Sequence, residues 1–162
     1  MELTENKIIK TRKKAVWGAL MSADVLSKCI PGCKDMLGNP QDGFEATVVQ
    51  KVGPVKATFK GKVTLSDVIS EESLKLNGEG KGGAAGFAKG EATVKLAEEN
   101  NTTILSYSVK AKVGGKLAQL GSRIIDGFAK KMADQFFENF KAEPGVTSVA
   151  RLTSIKLSDL CC

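Results

Sequence analysis

From Gly53-Pro54 onward the chain alternates strictly. Val55, Ala57, Phe59, Gly61, Val63 and Leu65 fall on one parity, and Lys56, Thr58, Lys60, Lys62 and Thr64 on the other. A period of two with one apolar parity specifies a β-strand with one buried and one wet face, because a slip of one residue would exchange the faces. The pattern is repeated on both sides. Phe44, Ala46 and Val48 precede it; Leu74, Leu76, Gly78 and Gly80 follow, then Ala88, Gly90, Ala92, Val94 and Leu96, then Leu105, Tyr107, Val109, Ala111 and Val113. Loops are expected at Gly38–Gly43 and Gly53-Pro54, and turns at Glu71–Ser73, Gly82–Ala84 and Glu98–Asn101. Residues 33–113 therefore read as an antiparallel meander of hairpins.

The flanking segments have a different period. Residues 2–10 are short and mixed and read as a first strand. The spacing of Ala15, Val16, Ala19 and Leu20 predicts a helix with Thr11 as its N-cap, and a second short helix runs from about Ser22 to Cys29. Ile30-Pro31-Gly32 ends it, since proline cannot continue the ladder and glycine frees the turn. Beyond Gly114-Gly115, Leu117, Leu120, Ile124, Phe128, Met132, Phe136 and Phe140 recur every three or four residues. They predict one long helix from about Lys116 to Lys141, with a stripe wide enough to cover a sheet. Glu143-Pro144-Gly145 stops it. The layout is α+β, with a domain over residues 1–142 and a tail over 143–162 that ends in Cys161-Cys162.

Composition narrows the chemistry. The 162 residues include no histidine, so imidazole-activated nucleophiles, His-ligated metals and imidazole proton shuttles are excluded. No apolar run approaches the roughly 20 residues of a membrane span, and MELTENKIIK lacks a signal-peptide core. The expectation is a cytoplasmic protein without catalytic residues. A net charge of +6 directs attention to acidic partners, an anionic membrane surface among them. The lysines are dispersed among acids, however, and no strand carries the exposed aromatics that base stacking needs, so nucleic acid is not an expected partner.

The apolar parity of the strands is unusually small. It contains Ala57, Gly61, Gly78, Gly80, Ala88, Gly90, Ala92 and Ala111 beside its Val and Leu. Interiors reach native density by opposing large and small residues. Either the long helix approaches this face very closely, with the glycines marking bulges and curvature, or space remains between helix and sheet. A cavity there would be lined by apolar groups, with no acid or base on the inward positions after Gly53. That suits binding or transfer of an apolar molecule rather than its turnover.

Several segments, in order, resemble one family. They are Cys29-Ile30-Pro31-Gly32-Cys33, Val52-Gly53-Pro54-Val55, Phe59-Lys60-Gly61, Gly78-Glu79-Gly80 with Gly86-Phe87-Ala88, the stretch GGKLAQLGSR from Gly114 to Arg123, and Phe136-Phe137. The series, over roughly residues 1–141, is similar to the G-subunit family of carbon monoxide dehydrogenase, a branch of the START-like (SRPBCC, polyketide cyclase/Bet v 1-type) superfamily. The resemblance implies a helix-grip fold, in which a curved seven-stranded antiparallel sheet grips the C-terminal helix around a hydrophobic cavity. It also implies a lipid- or quinone-like ligand, no cofactor, and an accessory or membrane-recruitment role beside the subunits of a molybdenum hydroxylase. Its localisation would then be cytoplasmic, peripheral at the inner face of the membrane. The alternative is a ligand-free docking or assembly module for that enzyme.

Candidate ligand-binding residues are Phe44, Val48, Phe59, Val63, Leu76, Phe87, Val94, Tyr107, Val109, Leu120, Ile124, Phe128 and Met132. Phe87 is expected at a hairpin where it gates an entrance. Cys29 and Cys33, with Cys161 and Cys162, have the residue types of a thiolate metal site or redox pair. The C-x3-C spacing fits a zinc knuckle poorly, and small buried hydrophobes near a cavity mouth is the expected role for the first two. Gly114 to Arg123 either turns the chain from strand to helix, or offers free N–H groups, Ser122 and Arg123 to a polar head group. No catalytic pair is found. Tyr107 is the only tyrosine and Glu98-Glu99 lies in a turn.

Overall fold

The computed structural model describes residues 1–144 and Val146. Strand β1 (Glu2–Ile9) is followed by helices α1 (Lys13–Leu20) and α2 (Ala23–Cys29), then β2 (Cys33–Asn39), β3 (Gly43–Val52), β4 (Val55–Ile69) and β5 (Ser73–Lys81). A 3₁₀ turn at Gly83–Ala85 leads to β6 (Phe87–Glu99), β7 (Thr102–Gly114), α3 (Lys116–Gln119) and α4 (Ser122–Ala142). The strands form one curved antiparallel sheet in the order β1-β7-β6-β5-β4-β3-β2. Only β1 leaves sequence order, so α1 and α2 carry the chain from one edge of the sheet to the other.

The registers place the predicted parities together. Leu76 pairs with Ala92, and Ala92 with Val109; Val109 in turn pairs with Leu3. Phe44 pairs with Val63 and Val48 with Phe59. The two ends of the sheet differ. The β2–β3, β4–β5 and β6–β7 turns lie at one end with α1 and α2, while the β3–β4 turn, the 3₁₀ turn and α3 lie at the other. At the first end a large apolar cluster joins Ile9, Val16, Trp17, Cys29, Leu96 and Leu105 to Phe137, Phe140 and Val146. At the second, a smaller cluster joins Val52, Leu117 and Ile125, with Val55, Phe59, Leu120 and Phe128 against it. The backbone of α4 lies nearest α2, β1 and β3, and its Phe137 and Phe140 share the larger cluster with Leu74 and Leu96 of the central strands β5 and β6.

Local chemistry accounts for the helix ends. Ser22 caps α2, its hydroxyl accepting from the Val25 N–H at 3.3 Å, with Asp24 in the first turn and Lys28 in the last. Thr11 does not cap α1. Arg12 holds that position, and Thr11 is buried, its carbonyl accepting from the Thr103 hydroxyl at 2.8 Å. Strand β2 extends into the predicted Gly38–Gly43 loop as far as Asn39, and the hairpin closes with the Asp42 N–H donating to Asn39 Oδ1 at 2.7 Å. The predicted long helix is two helices. Gly121 adopts φ +85°, a left-handed conformation that interrupts the ladder and reorients the chain between α3 and α4. The predicted stripe holds at Leu117 and Phe140, which are buried, and at the half-buried Leu120, Phe128, Met132 and Phe136; Ile125 and Phe137 are buried as well, and Ile124 is exposed. The tail, including Cys161 and Cys162, lies outside the described residues apart from Glu143, Pro144 and Val146.

The Ile30-Pro31-Gly32 turn is pinned to β3. The Val49 N–H donates to the Gly32 carbonyl at 2.9 Å, and the Gln50 side-chain amide donates to the Pro31 carbonyl. Gly32 has φ +77°, and a Cβ there would sit 2.1 Å from the Val49 carbonyl oxygen. Strain and clash act together, so Gly32→Ala should lower stability by about 2 kcal/mol or more. Urea denaturation followed by circular dichroism checks this, and an unchanged midpoint would contradict the geometry.

Candidate functional site

The inner face of the sheet is floored by small residues between the two clusters. One cross-strand row runs Phe44, Val63, Gly78, Gly90, Ala111, and the next runs Ala46, Gly61, Gly80, Ala88, Val113. The glycines are not equivalent. At Gly90 a Cβ would come within 2.5 Å of the Lys110 carbonyl and 2.8 Å of the Ala111 methyl, so glycine there permits the tight coiling of β6 on β7. At Gly61 and Gly78 an added Cβ meets nothing nearer than 3.5 Å, and at Gly80 nothing within 4 Å. Curvature explains Gly90; a Cβ at Gly61 or Gly78 would make ordinary van der Waals contact, and of the four only Gly80 faces open space. These small residues form a half-buried, uncharged stretch of the inner face.

The β1 edge of the inner face is polar, and its residues escaped the reading of the strands. On β1 the inward parity is Leu3, Glu5, Lys7 and Ile9. The Tyr107 hydroxyl donates to Glu5 Oε2 at 2.5 Å, and the Tyr107 ring stacks on Phe137 at 5.4 Å. Lys130 Nζ lies 2.7 Å from Glu5 Oε1 and donates to both Asp134 oxygens at 2.9 Å. Lys7 Nζ closes the ring, donating to Asp134 Oδ1 at 2.8 Å and lying 3.5 Å from Glu5. The ring ties α4 to β1 and β7. Hydrogen bonds from Lys130, then Tyr107, hold the Glu5 carboxyl below its ordinary value. Those from Lys7, then Lys130, do the same for Asp134, and Lys130 is itself raised by its bonds to Glu5, then Asp134. Burial, then the Glu5 carboxylate, pushes the Tyr107 phenol up, so it acts as a donor and not a base.

The predicted ligand residues separate into groups. Phe44, Val48, Phe59, Val63, Leu76, Val94 and Val109 face inward, the Phe59 ring lying across Gly82 so that a Cβ there would meet it at 2.5 Å. Tyr107 is inward but belongs to the packed core and the polar ring. Leu120 and Phe128 join the smaller cluster and Met132 is half-buried on α4. Ile124 is 41% exposed, its methyl facing Gly53. Phe87 lies on the opposite face. It pairs with Gly114, whose Cβ would meet its ring at 2.3 Å, and is 49% exposed. Phe87 heads β6 on the parity of Lys89 and Glu91, so it faces outward instead of gating the hairpin.

A concavity of about 930 Å³ lies on that outer face, behind Gly78 and Gly90, lined by Lys62, Glu79, Lys89, Glu91, Lys110 and Lys112. Its lining is that of a solvated sheet surface. Convergent apolar groups, which mark small-molecule sites, are on the inner face instead. Cys29 and Cys33 are free thiols; Cys29 is buried, its carbonyl accepting from the Asn139 side chain at 2.9 Å. Burial, with Glu143 second, pushes the Cys29 thiol up to about 11, and burial also raises Cys33. Neither has the low-pKa environment of a redox or metal-binding thiolate. Among the described residues no group of three or more Cys, Asp or Glu is placed to hold a metal ion.

The profile of the CoxG family, the G subunit of carbon monoxide dehydrogenase, matches residues 6–145. The chain belongs to this family. No curated protein matches it. Among solved structures, a conserved protein from Geobacillus kaustophilus superposes with a TM-score of 0.84 at 30% identity, covering 91% of this chain and 97% of that one. A START superfamily protein from Mycobacterium smegmatis superposes with a TM-score of 0.65 at 10% identity, covering 91% and 98%. A protein from Thermus thermophilus gives 0.67 at 10% identity, covering 92% and 99%. The fold is START-like, and the family is that of an accessory subunit.

Two outcomes test this site. The stabilisation from Glu5 and Asp134 is complete above their ordinary values of 4.5 and 3.8 and is lost as pH falls through the lower folded ones. The contribution of these two carboxylates to Tm should therefore be complete above about pH 5 and fall below it, and Glu5→Gln should flatten that acid limb. Iodoacetamide at neutral pH should modify Cys29 only after denaturation, as read by mass spectrometry; fast native-state labelling would revive a redox role.

Proposed function

We propose that this CoxG-family protein carries one apolar molecule, of the lipid or quinone class, in a trough between sheet and α4. It serves a molybdenum carbon monoxide dehydrogenase-type hydroxylase as an accessory and membrane-recruiting partner, and performs no catalysis itself. The observation that carries the reading is the split core. Two apolar clusters are separated by a Gly/Ala floor with open space above Gly80, and burying an apolar ligand there would supply the contacts that the floor lacks. Family membership supplies the enzyme partner. Among the described residues no helix is long and apolar enough to cross a membrane, so recruitment would be peripheral.

Native mass spectrometry of freshly purified protein, followed by organic extraction, tests this. One apolar molecule per chain is expected. Gly80→Phe has room for its Cβ, and Ala92→Phe sits between Leu76 and Val109; both variants should fold and lose uptake at least tenfold. Unchanged uptake by folded variants would refute the site. The second reading, a ligand-free docking module, is favoured by the charged outer basin. A protein that stays apo with lipids and quinones yet binds the hydroxylase in a salt-sensitive way would establish it.

A further inference from the structure

One cross-strand row on the outer face runs from β2 to β7. It consists of Leu37, Glu45, Lys62, Glu79, Lys89 and Lys112, each in direct register with the next and all exposed. Its inner members alternate in sign: glutamate, lysine, glutamate, lysine. Opposite charges in register are placed to form cross-strand ion pairs. Yet Glu45, Lys62, Glu79 and Lys89 make none among the described residues. Their charged ends stand apart, beside two hollows of the outer surface. One, of about 430 Å³, lies toward β2, and the other, of about 930 Å³, toward β7 and β1; Lys62 and Glu79 line both.

Reversed, this row is its own complement. A two-fold axis in the plane of contact, parallel to the strands and between β4 and β5, sets the row of one copy against the same row of another in opposite order. Lys62 then faces the partner's Glu79, Glu45 faces the partner's Lys89, and the symmetry repeats both pairs. We propose that the outer face of the sheet docks a second copy of this chain, sheet on sheet, through this row. Stacked sheets lie roughly 10 Å apart, a gap that a lysine and a glutamate bridge when extended from opposite sides. Leu37, 70% exposed at the end of the row, meets the aliphatic stem of the partner's Lys112. One neighbouring row disagrees. Toward α3, Lys60 and Lys81 stand in register, and the same axis sets Lys60 against the partner's Lys81. Contact therefore centres on the Lys62–Glu79 row and on the uncharged Thr64–Asn77 pair beyond it. A contact dominated by charge, with little apolar area, belongs to the weak and salt-sensitive class. The inner faces point away from it, so the dimer neither requires nor blocks a carried molecule. It does cover the charged basin on which a ligand-free docking module would rely.

Sedimentation velocity of the full chain over a range of concentrations, at low and high salt, tests this. A monomer–dimer equilibrium that weakens at high salt is expected. Lys62→Glu and Glu79→Lys should each weaken the dimer by about tenfold or more, because each brings like charges together across the axis. Mixed in equal amounts, the two variants should restore it, since two adjacent acids on one chain then meet two adjacent bases on the other. Both reversals combined in one chain should restore it as well. The mixture separates contact between copies from the pair within one chain, and thermal melts confirm that each variant is folded. Lys60→Gln/Lys81→Gln, which removes the opposed lysines, should tighten association. A chain that stays monomeric at every concentration, or a dimer indifferent to both reversals, would overturn the proposal. So would a mixture of the folded single variants that remains monomeric, or a monomer that captures the hydroxylase through Lys62 and Glu79.

Discussion

The Tyr107 side chain is held at both ends, its ring stacked on Phe137 and its hydroxyl on Glu5. Through it the sheet's β7 strand grips α4, and through Glu5, Lys7, Lys130 and Asp134 the β1 edge grips the same helix. Everything else about the inner face depends on where α4 is held. Aromatic stacking near its C-terminus and charge along one flank fix its position against β7 and β1. The polar ring costs little because it is partly solvated, with Lys130 and Asp134 near the surface, and several charges share each partner. A fully dry ring would have carried a heavy desolvation cost.

The meander was legible because alternation is a local signal with a strict period. Ala88 to Leu96 and Leu105 to Val113 occupy the predicted face over their whole lengths. Register across strands followed from the same parity. The helical stripe was less secure, since a period near 3.6 lets adjacent residues such as Ile124 and Ile125 both satisfy it, and one glycine at positive φ was enough to choose between them. Phe87 shows the same weakness at a strand start, where a shift of one residue changes the face.

The polar wall was hidden for a different reason. Glu5 and Lys7 sit at alternate positions with Leu3 and Ile9, and strict alternation applied to β1 would have turned them inward. A mixed strand gives no apolar parity to choose, however, and their partners on α4 are more than a hundred residues away. Lys130 and Asp134 read as an ordinary surface pair four residues apart on a helix, and only tertiary packing joins them to β1.

Because the apolar core is divided, so is resistance to opening. The aromatic end binds α1, α2, β6, β7 and α4 into one cooperative unit, whereas the far end depends on Val52, Leu117, Ile125 and a few half-buried neighbours. Local stability follows local burial. The short α3 segment, bounded by glycines at positive φ on both sides, can therefore part from the β3–β4 turn at a small fraction of the global unfolding free energy. Were a molecule carried as proposed, it would exchange by breathing of that one corner, while the rest of the fold stays intact and sets the lifetime of the protein.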